Sequence, residues 1–229
     1  LLNIKAGAAK ARKHKALLEA VAARYGVQPR FILAIWGIET RYGAVKADVP
    51  LISSLATLAY DARRSKFFKR QLFATLQMVN RGYIDVNSLF GSWAGAMGQP
   101  QFMPASYLAF AQDFDGDGRR DIWKNEGDVF ASIANYLAKH KWNDNQTWGR
   151  KVEIPAGLVK TFAKPTRRAA PGCRARTYPQ KALSKWQELG IRRLGGRDLP
   201  ARELKAALVL PDGPTGKDAY LVYKNYSAI

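Results

Sequence analysis

Histidine and cysteine are nearly missing from this 229-residue chain, which holds two His, at 14 and 140, and a single Cys, at 173. One cysteine excludes an internal disulfide and any Cys-based zinc site. Two histidines all but exclude His-centred catalysis or a histidine metal cluster. No apolar run approaches the roughly 20 residues that a membrane-spanning helix needs. Acidic charge is scarce, with 18 Asp and Glu against 37 Lys and Arg. The chain opens at Leu1 without the pattern of a signal peptide, so a processed form or a fragment is expected.

Hydrophobic residues make up 47% of the chain, with six Trp, and that composition belongs to a globular protein with a proper core. The net charge of +19 implies an acidic partner: nucleic acid, an anionic membrane surface, or a polymer bearing carboxylates. The basic groups, Lys10 to Lys15, Arg63 to Arg70, Arg119 with Arg120, and Lys164 to Arg176, are dispersed. No zinc-finger or RNP signature accompanies them, so no nucleic-acid partner is expected.

The stretch P-R-F-I-L-A-I-W-G-I-E-T-R-Y-G, residues 29 to 43, organises the rest. Pro29 suits the first position of a helix and Gly43 its stop. Residues 31 to 38 are apolar or glycine, which predicts a helix buried all round, with Glu39 on its last turn. Desolvation and the negative end of the helix dipole would both raise the pKa of Glu39, as a carboxylic acid working near neutral pH requires. Pairing with Arg41 would cancel that shift and make Glu39 structural. Local sequence leaves the two readings open.

Before this helix, residues 5 to 25 predict one amphipathic helix closed by Gly26. After it, Pro50 opens an apolar helix through Ala59, and Phe68, Leu72, Leu76 and Val79 mark the core face of another, closed by Gly82. Residues 89 to 104, L-F-G-S-W-A-G-A-M-G-Q-P-Q-F-M-P, are apolar but broken by glycines and prolines. An irregular apolar loop of this kind either makes a tight connection or lines a site.

A helix from about Ala105 leads into D-F-D-G-D-G-R-R-D-I-W, residues 113 to 123. Asp113, Asp115, Asp117 and Asp121 take the first, third, fifth and ninth places of an EF-hand-like loop, with Gly118 at the sixth. Lys124 stands where the bidentate glutamate belongs, so the loop is expected to run to 128, with Glu126 or Asp128 closing it. The spacing predicts a structural Ca2+. A further helix spans 127 to 141, and beyond Trp148 short β-branched runs take over. The expected architecture is mainly α, with a helical domain over 1–149 and a smaller α+β section over 150–229.

Taken together, I-W-G-I-E-T-R-Y-G, Y-D-A-R-R, G-S-W-A-G-A-M-G-Q-P-Q-F-M-P-A-S-Y, D-F-D-G-D-G-R-R-D-I-W and A-S-I-A-N-Y resemble the lytic murein transglycosylase B family. That resemblance implies a lysozyme-like catalytic core that cleaves peptidoglycan strands in the periplasm, with no cofactor for the chemistry. Glu39 is then the single acid and base. Contacts to glycan or stem peptide fall on Arg63, Arg64, Ser92, Gln101, Phe102 and Tyr136. Metal ligands fall on Asp113, Asp115, Asp117, the carbonyl of Arg119, and Asp121 or Asp128. In the family, a helical part with a tyrosine precedes the position of Leu1 and a Tyr-Asn motif follows Ile229, so some substrate subsites are expected outside this stretch.

Ordinary glycosidases use two carboxylates. No second one is evident near Glu39, and the nearest in sequence, Asp48, lies in a loop. The family's reaction needs only one, because the muramic C6 hydroxyl attacks C1 and leaves a 1,6-anhydro ring. The rival readings are a lysozyme-type hydrolase and a non-catalytic, Ca2+-dependent wall-binding module in which Glu39 pairs with Arg41.

Overall fold

The computed structural model describes residues 2–162 and 176–229, so Cys173 and the basic residues from Lys164 to Arg174 lie outside the described residues. The chain divides into two compact units, Leu1–His140 and Lys141–Ile229. Residues 141 to 149, expected with the helical part, bond within the second unit. There the fully buried Asn225 accepts from the Asn143 N–H at 2.8 Å and donates to the carbonyls of Asn143 (2.8 Å) and Gln146 (3.0 Å).

The first unit is built from α1 (Leu2–Lys13), α2 (Lys15–Tyr25), α3 (Pro29–Thr40), α4 (Leu51–Tyr60), α5 (Ser65–Asn80), α6 (Pro104–Phe110) and α7 (Glu126–Lys139). A two-residue ribbon, β1 (Val49–Pro50) against β2 (Phe90–Gly91), ties the start of α4 to the glycine-rich loop. The single helix expected over 5–25 is broken at His14. The ring there packs edge-on against Trp36 at 5.7 Å and Phe130 at 5.6 Å. Gly26 ends α2 in the left-handed region, φ 65°.

Helix α3 departs from the expectation of burial all round. Phe31, Ile32, Leu33, Trp36, Gly37 and Thr40 are buried, while Ile38 is 78% exposed and Glu39 shares its open side. The helix also stops before Gly43, because Arg41, Tyr42 and Gly43 are all left-handed, with φ of 51°, 62° and 76°. This reversal folds the Tyr42 ring back over α3. A Cβ on Gly37 would lie 2.6 Å from the ring, and one on Gly7 of α1 would lie 2.4 Å from its hydroxyl. Two glycines therefore form the socket for one tyrosine, which explains a glycine inside an otherwise apolar helix.

Helix α5 buries Phe68, Gln71, Ala74, Thr75 and Met78, whereas Leu76 of the expected stripe is 44% exposed. Phe68 and Met78 pack in one cluster with Leu51 and Leu55 of α4, Tyr107 of α6, Met97 and Phe102 of the glycine-rich loop, and Ile122. Full burial of a side chain such as Met97 contributes about 1.5–3 kcal/mol, so the loop is anchored by its own apolar residues.

The second unit is a six-stranded antiparallel sheet with a short helix. Its strands are β3 (Gly149–Glu153), β4 (Arg176–Thr177), β5 (Lys181–Ala182), β6 (Arg192–Arg193), β7 (Lys205–Leu210) and β8 (Tyr220–Val222). The order is β4-β7-β8-β3-β6, with β5 also on β7. Helix α8 (Leu183–Glu188) seats Trp186 in the core, where its indole donates to the Ala206 carbonyl at 2.8 Å. Among the described residues no helix is long and apolar enough to cross a membrane. The architecture is mainly α with a smaller α+β part, as the sequence predicts.

The tyrosine socket makes a signed prediction. At an open helical site Gly→Ala gains about 1 kcal/mol, but overpacking costs about 1–3 kcal/mol. Chemical denaturation of Gly37→Ala is expected to show a net loss of stability. The loss should vanish in a Tyr42→Ala background, where Gly37→Ala becomes neutral or stabilising.

Candidate active site

Glu39 lies in the last turn of α3, and among the described residues its side chain has no hydrogen bond or ion pair. Arg41 does not pair with it, so the structural-carboxylate arrangement is not the one adopted. The residue is open to solvent on one side, yet the protein around its carboxyl group removes enough water to push the pKa above the ordinary value of 4.5. Desolvation is the cause, and no neighbouring charge contributes. The result is a carboxyl group held toward its protonated form.

The glycine-rich loop folds as a small bridged hairpin. Met97 pairs with both Gly91 and Phe102, and the Met97 and Phe102 backbones exchange bonds of 2.8 and 3.0 Å. Ser92 closes the tip, its N–H donating to the Ala96 carbonyl at 2.8 Å and its hydroxyl accepting from the Ala96 N–H at 3.0 Å. Gly98 is required where the loop crosses Ile122, since a Cβ there would meet that side chain at 2.6 Å. Gln101 holds a positive φ of 53° without being glycine, a strain of the kind that collects at functional sites.

Of the predicted substrate contacts, Ser92, Gln101 and Phe102 are gathered on this one hairpin. Tyr136 of α7 joins them through Phe102, at 5.7 Å between ring centres, and stacks on His140 at 4.2 Å. Phe102 is only 8% exposed, so it serves as wall more than as platform. Arg63 is already engaged by Asp61, whose carboxylate lies 2.8 Å away and is held down to about 2 by that guanidinium. Arg64 stacks over Phe67 at 4.6 Å and has no anionic partner among the described residues.

Two residues escaped the sequence reading. Trp93, beside Ser92, is 72% exposed on the loop tip, with its carbonyl held by the Ser54 hydroxyl at 2.6 Å. Gln99 is the other. Its Oε1 accepts from the Trp36 indole at 2.5 Å, and its Nε2 donates to the Trp123 carbonyl at 2.9 Å. Its carbonyl accepts from the Thr40 hydroxyl at 3.0 Å. The signal for both was a large polar or aromatic residue set among glycines, which has no packing reason to be there. A cavity of about 540 Å3 borders the same segment, lined by Gly43, Lys46, Tyr83, Phe90, Gln99 and Trp123, but it includes neither Glu39 nor the predicted contacts.

The acidic loop brings carboxylate oxygens of Asp113, Asp115 and Asp117 within 4.8 Å of one another. Backbone N–H groups shape it: those of Gly116 and Gly118 donate to Asp113 at 2.7 and 2.9 Å, and that of Arg119 donates to Asp117 at 2.8 Å. The Asn125 side-chain amide, first among its partners, holds the Asp115 carboxyl below the usual range. Asp121 stands apart from the three, accepting from the N–H groups of Trp123 and Lys124 at 2.9 Å each. Asp128 is fully buried and takes the N–H groups of Phe114 and Asp121 at 2.7 Å each, so it staples the two ends of the loop. Burial pushes its carboxyl up in spite of these bonds. Three hard, mutually repelling carboxylates suit Ca2+ in donor chemistry.

Comparison with known proteins gives the family. Residues 2–229 match the Transglycosylase SLT domain. The chain is 37% identical to the membrane-bound lytic murein transglycosylase B of Escherichia coli (strain K12) over 176 residues, 74% of this chain and 47% of that protein. It thus spans about half of that relative's length. SltB3 from Pseudomonas aeruginosa, solved in complex with NAG-anhNAM-pentapeptide, superposes with a TM-score of 0.86 at 41% identity, over 99% of this chain and 58% of that one. The Escherichia coli lytic transglycosylase Slt35, solved in complex with calcium, gives a TM-score of 0.79 at 28% identity, over 98% of this chain and 67% of that one. The fold is the mainly helical, lysozyme-like one with a smaller α+β part, and the chain belongs to the Transglycosylase SLT domain family.

Proposed function

We propose that this chain carries the catalytic part of a peptidoglycan lytic transglycosylase, acting on the wall polymer in the periplasm. The observation that carries the reading is the solitary Glu39 carboxyl, partly desolvated and without an ion-pair or hydrogen-bond partner among the described residues. A hydrolase of the two-carboxylate kind would place a second acid close enough to act as nucleophile or base. Here one group does both jobs. Protonated Glu39 gives its proton to the glycosidic oxygen between N-acetylmuramic acid and N-acetylglucosamine, and the C1–O bond breaks. The Glu39 carboxylate then takes the proton of the muramic C6 hydroxyl as that oxygen closes on C1. Glu39 ends protonated and no water is consumed. The intramolecular attack gains from proximity.

The hairpin of Ser92, Gln101 and Phe102, with Tyr136, forms the wall along which the glycan lies, and the exposed Trp93 offers a sugar-stacking face. Arg64 is the cation left to meet a stem or lactyl carboxylate, Arg63 being engaged by Asp61. The net charge of +19 favours a carboxylate-bearing polymer in the same sense. Muropeptide mass spectrometry is the test. The expected products carry 1,6-anhydro ends, one water lighter than hydrolysis products. Glu39→Gln should lose about 10^3-fold in rate, within the range of general acid–base catalysis. Reducing ends would make the protein a hydrolase, and an active Glu39→Gln would remove Glu39 from the chemistry.

Asp113, Asp115 and Asp117, with the Arg119 carbonyl, are the residues that would hold a structural Ca2+, and Asp121 and Asp128 shape the loop around it. Bound there, the ion supplies charge balance to the acidic loop. Chelation is expected to lower Tm, since a ligand at a hundred times its Kd stabilises by about 2.7 kcal/mol. Asp115→Asn should abolish the response to added Ca2+. A chelator-insensitive Tm would argue for a solvated acidic turn.

A further inference from the structure

We propose that Gln99 is the positioning residue that fixes the last turn of α3, and with it the direction of the Glu39 carboxyl; this rests on the reading of Glu39 as the acid and base. Among the described residues the Glu39 side chain has no hydrogen-bond or ion-pair partner to steer it, so the backbone of α3 sets where that side chain starts. That backbone ends in the three left-handed residues Arg41 to Gly43, two of which pay a steric cost for φ above zero. Something outside the helix has to hold such a reversal in place.

Gln99 grips it from three directions. Its Oε1 takes the Trp36 indole N–H, one helical turn before Glu39, at 2.5 Å. Its carbonyl takes the hydroxyl of Thr40, the residue next to Glu39, at 3.0 Å. Its side chain also lies so close to Gly43 that a Cβ there would come within 2.4 Å of Oε1. The far side of Gln99 is anchored in turn. The Nε2 donates to the Trp123 carbonyl at 2.9 Å and the backbone N–H to the Ile122 carbonyl at 2.8 Å. The amide has only one orientation that satisfies both neighbours, because indole can only donate and a carbonyl can only accept. Gln99 therefore locks α3 to the segment leaving the acidic loop, and it does so between Gly98 and Pro100, where the loop backbone is fixed. A displacement of about 1 Å at a reacting group costs up to about a hundredfold in rate.

The test compares Gln99→Met, which keeps the length and loses both side-chain bonds, with Thr40→Val, which keeps the shape and loses the hydroxyl. Steady-state kinetics on purified peptidoglycan strands are read beside Tm and the Trp36 Nε1–H resonance, with Glu39→Gln as the reference for complete loss. The expected result is a kcat lower by about ten- to a hundredfold in Gln99→Met, KM within about twofold, a shifted Trp36 resonance and a folded protein at the assay temperature. Thr40→Val should lower kcat in the same way with a smaller change in Tm. Unchanged kcat in the two folded variants, or a loss carried by KM, overturns the proposal while leaving the role of Glu39 standing. If Gln99→Met does not fold, Thr40→Val decides alone by the same criterion. Should Glu39→Gln itself remain active, it is the assignment of the reaction that fails.

Discussion

The backbone reversal after Thr40 is the constraint on which the site depends. Three left-handed residues in a row turn the chain off α3, so that Tyr42 packs back against the helix and Arg41 forms no pair with Glu39. A carboxyl group at the end of a half-buried helix would otherwise find its nearest cation two residues away. The cost of the reversal is met by the Tyr42 socket on Gly7 and Gly37, by the Thr40 hydroxyl that accepts from the Gly43 N–H at 3.2 Å, and by the Gln99 contacts. Sequence, strain and protonation state are links of one chain here. Glycines permit the socket, the socket permits the turn, and the turn leaves the carboxyl alone.

The glycine-rich hairpin plays the complementary part. Its apolar residues Met97 and Phe102 are swallowed by the core between α4, α5 and α6. Its polar and aromatic residues Ser92, Trp93, Gln99 and Gln101 remain at least partly exposed, and Gln99 reaches to α3. Burial of one set of side chains is what makes the other set rigid. The acidic loop feeds into the same structure, since Ile122 and Trp123 at its exit receive Gln99, and Asp128 closes it from α7.

Much of this was legible in the sequence because the signals were local. Pro29 and Gly26 mark helix ends that the structure reproduces, and the one-three-five spacing of Asp113, Asp115 and Asp117 brings those three carboxylates together. Periodicity failed on α3, where an unbroken apolar run reads as buried all round, yet Ile38 is 78% exposed on the side of the helix that carries Glu39. The break at His14 was invisible because its cause is tertiary, the packing of the ring among Trp36 and Phe130. The bonds by which Asp121 and Asp128 hold backbone N–H groups of the acidic loop and its exit belong to the folded chain, and no spacing rule reveals them. Gln99 was missed for the same reason, since its partners lie 63 and 24 residues away.

The central claim is that the Glu39 carboxyl is raised above its ordinary pKa because it has lost water and gained no cation. Titration of its side-chain carboxyl carbon by NMR measures this directly. A folded-state pKa above the ordinary value means that the protonated form persists as pH rises, and that the contribution of Glu39 to stability is lost as pH climbs through that pKa. The account predicts a midpoint above 4.5 that does not move in Arg41→Ala. A midpoint at or below 4.5, or one that rises when Arg41 is removed, would contradict it.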